Sequence, residues 1–132
     1  MLAAMNVGLE ERLQQSAPGY AQAWEEVWTE QEGRWAVIGF GRRVYNTLFA
    51  KFLQRYLSPA SRMVELGSGT ASLGKILAPR ITSYTGIDAS SVAIADATER
   101  LPSAEYPNVR FLHADIFDPL PGERFDLVWS QG

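Results

Sequence analysis

Cysteine is absent from all 132 residues, which removes disulfides, thiolate metal sites and a cysteine nucleophile together. A single histidine leaves little room for a His-rich metal centre. No run approaches the roughly 18 consecutive apolar residues of a membrane span. The opening Met-Leu-Ala-Ala-Met-Asn lacks the basic head and long apolar middle of a secretory signal. A soluble chain in a reducing, cytoplasmic setting fits these absences. With 20% charged residues and a net charge of -3, a disordered tail and a broadly basic nucleic-acid binder are both disfavoured. What remains is 46% hydrophobic and 11% aromatic, enough for one core, in a length that makes one domain at most.

Acidic residues are missing locally. Residues 1–32 hold six Glu against one Arg, whereas residues 33–62 hold Arg34, Arg42, Arg43, Lys51, Arg55 and Arg62 with no acid. A basic stretch of this kind is either the solvated face of an amphipathic helix or a surface that meets an anionic group.

Up to Pro18 the periodicity is weak, and Ser-Ala-Pro-Gly marks a turn. Tyr20, Trp24, Val27 and Trp28 then fall on one helical face, ended by Gly33. A glycine-punctuated stretch from Gly33 to Gly41 leads to an apolar stripe of Val44, Tyr45, Leu48, Phe49, Phe52, Leu53, Tyr56 and Leu57, which Ser58-Pro59 stops. Beyond Arg62 the pattern becomes that of buried strands. Strands are expected at 63–66, 84–88, 109–114 and 125–129. A short helix bearing Leu73, Ile76 and Leu77 ends at Pro79, and a helix from Val92 to Leu101 is capped by Ser90, Ser91 or both. This alternation predicts βαβ units, a parallel sheet and right-handed crossovers, an α/β fold in which residues 61–132 form the core behind a helical segment at 1–60.

A parallel sheet of this class binds ligands at the carboxyl ends of its strands. The first strand runs into Glu65-Leu66-Gly67-Ser68-Gly69-Thr70-Ala71, where two glycines permit a tight turn and close backbone approach. The second ends in Asp88-Ala89, 19 residues after Gly69, where an acid can accept from both hydroxyls of a ribose. The third ends in Asp115-Ile116, a carboxylate and a backbone N–H that suit an adenine edge. Three strand ends outline an adenosine.

On these residues the sequence resembles the class I S-adenosylmethionine-dependent methyltransferases from about Met63 to Gly132. Val64 to Thr70 is similar to that family's first motif, Gly86-Ile87-Asp88 to its ribose-binding strand, Ala114-Asp115-Ile116 to its adenine-binding strand, and Phe125 to Val128 with Ser130-Gln131-Gly132 to its fourth strand and loop. The resemblance implies a three-layer Rossmann-like sheet in strand order 3-2-1-4, and S-adenosyl-L-methionine as cofactor. Glu65, Gly67, Ser68, Gly69, Asp88, Ala89, Asp115, Ile116 and Ser130 would line its site. Backbone around Gly67 and Ser130 would hold the methionine amino group, and Glu65 would support the turn, partly through water. Where the family often has a third glycine this chain has Ala71, which fits if its φ stays negative.

Two other readings stay open. A nicotinamide dinucleotide domain also uses Asp88, but its third glycine would fall at Ser72, and it assigns no role to Glu65 or Asp115. A non-catalytic module could keep the fold alone. Among single residues, His113 reads as a satisfied or packed strand histidine before a catalytic base, Asp126 as an acid that caps or orders a turn, and Trp129 as sheet core. Trp24, Trp28 and Trp35 either cover the sheet or line an acceptor pocket, and Arg42, Arg43 or Tyr45 would meet a cofactor carboxylate. No catalytic residue and no metal site is assigned, because methyl transfer from a sulfonium needs positioning more than a dyad. The expected acceptor is a small molecule beneath a helical N-terminal cap, with nucleic acid disfavoured and no membrane contact. The family's sheet has seven strands. The chain is therefore expected to be the N-terminal part of a longer enzyme, inactive alone, with its fourth strand an edge open to self-association.

Overall fold

The computed structural model describes residues 35–119 and 122–131, with side chains from residue 41 onward. In chain order the elements are helix α1 (Trp35–Leu53), strand β1 (Arg62–Leu66), helix α2 (Ser72–Leu77) with a 3-10 turn (Ala78–Arg80), strand β2 (Ser83–Asp88), helix α3 (Ser91–Arg100), strand β3 (Val109–His113) and strand β4 (Leu127–Ser130). The four strands form one parallel sheet in the order β3-β2-β1-β4.

Strand alternation divides the side chains between two faces. Met63 pairs with Tyr84 and Leu127, and Tyr84 with Val109, so these four share a face with Glu65, Gly86, Phe111 and Trp129. Against that face pack Ala50 and Leu53 of α1, Leu73 and Leu77 of α2, and Ala97 of α3, all in one cluster with Met63 and Tyr84. Both βαβ crossovers step in the same direction across the sheet, from β1 to β2 to β3, and right-handed connections then place α2 and α3 on the same side. Helix α1 shares this core.

Ser90 is the cap of α3: its backbone is extended and its Oγ accepts from the Ala93 N–H at 3.2 Å. Ser91 is the first helical residue. The fourth strand starts later than its apolar pattern suggests, because Asp126 serves as a hook ahead of it. Its N–H donates to the Arg62 carbonyl, and its Oδ2 accepts from the Arg62 N–H, both at 2.8 Å.

Helix α1 differs most from expectation. It runs straight through Gly39 and Gly41 and ends at Leu53, ahead of Ser58-Pro59. Glycine inside a helix costs about 1 kcal/mol at most, which packing of the following turns offsets. Its apolar stripe also splits. Phe49, Ala50, Leu53 and Leu57 face the core, whereas Val44, Tyr45, Leu48, Phe52 and Tyr56 are between 45% and 63% exposed. Arg43, Lys51, Arg55 and Arg62 are solvated, so the basic stretch is mostly the outer face of a helix, and Arg42 is the half-buried exception. Trp24 and Trp28 lie outside the described residues. Among the described residues no helix is long and apolar enough to cross a membrane.

Tyr84 sits at the centre of the core, fully buried, with α2 passing directly over its ring. A Cβ on Gly74 would lie 2.5 Å from its Cζ. Gly74→Ala should therefore destabilise the fold by roughly 1–3 kcal/mol through overpacking. Gly41→Ala, with nothing among the described residues near its Cβ position, should stabilise it by about 0.5–1 kcal/mol. Urea denaturation of the two variants measures both; equal shifts would contradict this packing.

Candidate functional site

The carboxyl ends of the strands meet along one edge of the sheet. Leu66 stands opposite Ile87 and Ser130, and Asp88 opposite His113. The loop leaving β1 bends back onto β2. Gly67 and Ser68 both donate their N–H groups to the Ile87 carbonyl, at 2.8 and 3.0 Å, and Gly69 donates to Asp88 Oδ2 at 2.8 Å. The other carboxylate oxygen of Asp88 accepts from the Ser90 N–H at 2.9 Å. One buried side chain thus ties the glycine turn to the start of α3.

The turn needs left-handed backbone at three places, Gly67 (φ 70°), Gly69 (φ 52°) and Ala71 (φ 54°). This corrects the expectation of a negative φ at Ala71. The chain must reverse from β1 into α2 within a few residues, and Ala71 takes the third left-handed position at a cost of about 1–2 kcal/mol that glycine would avoid. Its methyl is fully buried in the core cluster.

Within the turn, Ser68 is 7% exposed and its Oγ has no hydrogen-bond partner among the described residues. It lies over Gly86 of β2, where a Cβ would sit 2.8 Å from both Ser68 Oγ and Phe111 Cδ1. Gly86 therefore lets the turn and Phe111 close over the strand.

Glu65 is 2% exposed, and its Oε2 accepts a hydrogen bond from the Tyr84 hydroxyl. Burial pushes its carboxyl up from an ordinary 4.5 to about 7, against the Tyr84 hydrogen bond and the charge of Arg42, while Asp88 adds a smaller upward push. Burial and the Glu65 charge raise the Tyr84 hydroxyl well above its usual range. Burial pulls the Arg42 guanidinium down; Glu65 opposes this and Arg100 reinforces it. Glu65 is expected from the resemblance to support the turn, and its side chain accepts a hydrogen bond from Tyr84 of β2.

The remaining expected residues are more open. Asp115 Oδ1 accepts from the Phe117 N–H and the Asp115 N–H donates to Asp118 Oδ2, both at 3.0 Å, which shapes the turn after β3. Ile116 is 37% exposed beside it. The Ala89 carbonyl lies 3.0 Å from His113 Nε2, so the strand histidine has a partner. Ser130 is exposed at the end of β4. Of the three α1 candidates, Arg43 and Tyr45 are exposed, and Arg42 is half-buried and coupled by charge to Glu65. Trp129 packs on Phe49 with ring centroids 5.4 Å apart, and its indole N–H is buried without a partner among the described residues. Sequence reasoning missed Tyr84 and Gly74. The available signal was the two-residue period, which puts Tyr84 on the face of Glu65 once Gly86 leaves the intervening position empty.

A family model described as a methyltransferase domain matches residues 57–132. Among curated proteins, the chain is 42% identical over 78 residues to trans-aconitate 2-methyltransferase of Paracidovorax citrulli (strain AAC00-1), covering 56% of this chain and 28% of that protein. It is 33% identical over 97 residues to ribosomal protein L11 methyltransferase of Thermosipho africanus (strain TCF52B), covering 70% and 36%. Among solved structures, a methyltransferase from Geobacter sulfurreducens in complex with S-adenosyl-L-homocysteine matches at 25% identity and a TM-score of 0.57, covering 66% of this chain and 35% of that one. The chain spans about a third of the length of the curated relatives it matches.

Two measurements probe the site's energetics. In Ala71→Gly, relief of the left-handed strain, about 1–2 kcal/mol, opposes loss of a buried methyl, about 0.8 kcal/mol, and a freer unfolded chain, about 0.4–1 kcal/mol. Stability should stay within about 1 kcal/mol of the unaltered chain, while Ala97→Gly in α3 should cost about 1.5–2 kcal/mol; equal losses in chemical denaturation would exclude the strain. The second concerns Glu65. A carboxyl raised to about 7 in the folded state binds its proton more tightly than in the unfolded chain, so its contribution is complete below about pH 4.5 and is lost as pH rises through about 7. Relative to Glu65→Gln, the unaltered chain should lose on the order of 2–3 kcal/mol between about pH 5 and about pH 8. Parallel stability–pH curves for the two proteins would contradict this.

Proposed function

The chain belongs to the methyltransferase-domain family, and from that premise we propose that its strand ends hold S-adenosyl-L-methionine for methyl transfer to a small-molecule acceptor. The observation that carries the reading is the latch between the glycine turn and Asp88, which aligns the turn, the end of β2 and the start of α3 around one carboxylate. The residues fit the group. Each Asp88 oxygen uses one acceptor position on a backbone N–H and keeps capacity for a ribose hydroxyl. The buried, unpartnered Ser68 Oγ in the turn is a polar atom still to be satisfied.

In this reading Asp88, beside Ala89, takes the ribose, Asp115 and the Ile116 backbone take the adenine, and backbone around Gly67 and Ser130 takes the amino group. The bound cofactor supplies a methyl group on a sulfonium. The chain contributes binding, orientation and exclusion of water, which suffice for much of the acceleration of an in-line displacement. A small-molecule acceptor is supported by the likeness to a protein named for trans-aconitate. Residues 1–60 would then serve as a cap over the site.

Isothermal calorimetry with S-adenosyl-L-homocysteine tests the cofactor assignment, with NADH as the competing ligand. The first should bind and the second should not, and Asp88→Ala should weaken binding by roughly 1–3 kcal/mol. Binding of NADH alone, or binding that ignores Asp88, would overturn the ribose assignment. Transfer of a labelled methyl group to small carboxylic acids, compared with protein and RNA acceptors, tests the acceptor class.

A further inference from the structure

Glu65 is a carboxylate in an expensive place. It is 2% exposed, in the middle strand pair, with Gly86 and Trp129 as its neighbours in register on either side. Phe49 covers Trp129 from α1, which helps to exclude water. A carboxyl in such surroundings tends to neutralise unless a donor or a cation holds its charge.

The fold supplies both from outside the glycine turn. Tyr84 stands two residues before Gly86 on the same face of β2, and the missing side chain at Gly86 leaves its hydroxyl a clear line to Glu65 Oε2. Gly74 makes the room: with any larger residue there, α2 would collide with the Tyr84 ring. Arg42 of α1 adds a charge that favours the Glu65 carboxylate. The groups facing Glu65 are thus Tyr84 and Asp88 of β2 and Arg42 of α1, with Arg100 of α3 acting on Arg42 and itself paired to Asp96 at 2.7 Å.

We propose that Tyr84 is a positioning residue for the cofactor pocket: from β2 its hydroxyl holds the Glu65 carboxylate in place at the foot of the glycine turn. The inference rests on the cofactor reading above, in which the neighbouring backbone receives a cationic amino group. A carboxylate attracts that group and a neutral acid does not. Because the Glu65 carboxyl already stands at about 7 with both supports in place, loss of either raises it further and shifts it toward the neutral acid.

The test follows the Glu65 carboxyl directly, by carbon NMR of protein labelled in glutamate, and in parallel the affinity for S-adenosyl-L-homocysteine from about pH 6 to about pH 9. Tyr84→Phe should move the Glu65 midpoint up by about one pH unit. It should also weaken binding about five- to tenfold near pH 6.5, with recovery at the alkaline end. Arg42→Gln should act in the same direction, and Arg42→Lys, which keeps the charge, should restore the original profile. An affinity loss in Tyr84→Phe that is equal at every pH, with an unmoved midpoint, would reduce Tyr84 to packing and overturn the proposal. If Tyr84→Phe does not fold, the pair at Arg42 decides: identical profiles for Gln and Lys overturn it. Failure of the unaltered chain to bind at any pH, while Glu65 titrates with the expected shifts, overturns the cofactor reading and with it the role assigned to Tyr84.

Discussion

The carboxylate of Asp88 is the constraint on which the rest of the site depends. It accepts from Gly69 on one side and from Ser90 on the other, and so joins segments that belong to different βα units. Three left-handed residues in one short loop are a costly arrangement, the more so because one of them is alanine. Charge-assisted hydrogen bonds from backbone N–H groups to a buried carboxylate are among the stronger local interactions, about 1.5–3 kcal/mol each. Together with the two N–H groups that converge on the Ile87 carbonyl, they hold the turn in a shape that its own backbone preferences would not select.

Glu65 and Asp88 show two ways of burying an acid on the same face of one sheet. Asp88 is met by two backbone donors that the fold cannot withdraw without unravelling. Glu65 is met by a side-chain hydroxyl and a half-buried guanidinium, both of which depend on how neighbouring helices pack. The first arrangement is rigid, and the second responds to its surroundings.

The order of the strands was legible through the family resemblance, and the strands themselves because buried parallel strands leave a strong signal: short apolar runs, of which the first three lead into Gly, Asp or Asp-Ile at the carboxyl end. The turn residues Gly67 and Gly69 and the acid at 88 were legible for the same reason, since few residues tolerate those positions. The course of α1 was not. Gly39 and Gly41 look like breaks in isolation, and only the packing of Phe49, Ala50 and Leu53 on the sheet shows why the helix runs through them. The left-handed backbone at Ala71 was hidden because alanine rarely adopts it; the identity of the residue argued against the conformation that the loop imposes. The partnership of Glu65 with Tyr84 required both the register of β1 on β2 and the absence of side chains at Gly74 and Gly86, which no single stretch of sequence displays.

The attachment of β4 bears on how the chain assembles. Strands β1, β2 and β3 are neighbours in the sheet in the order in which they occur along the chain, each joined to the next by one short helical crossover. Strand β4 returns to the far side of β1, and its hook joins Asp126 to Arg62 across 64 residues. Loop-closure entropy grows with the length enclosed, by about 0.6 kcal/mol for each doubling, so contacts across the first two crossovers are gained earlier and at lower cost than those of the fourth strand. The β1–β2–β3 unit, which already contains the glycine turn, Asp88 and the Tyr84 core, is the natural nucleus, and β4 is a late addition to a surface that the nucleus has prepared.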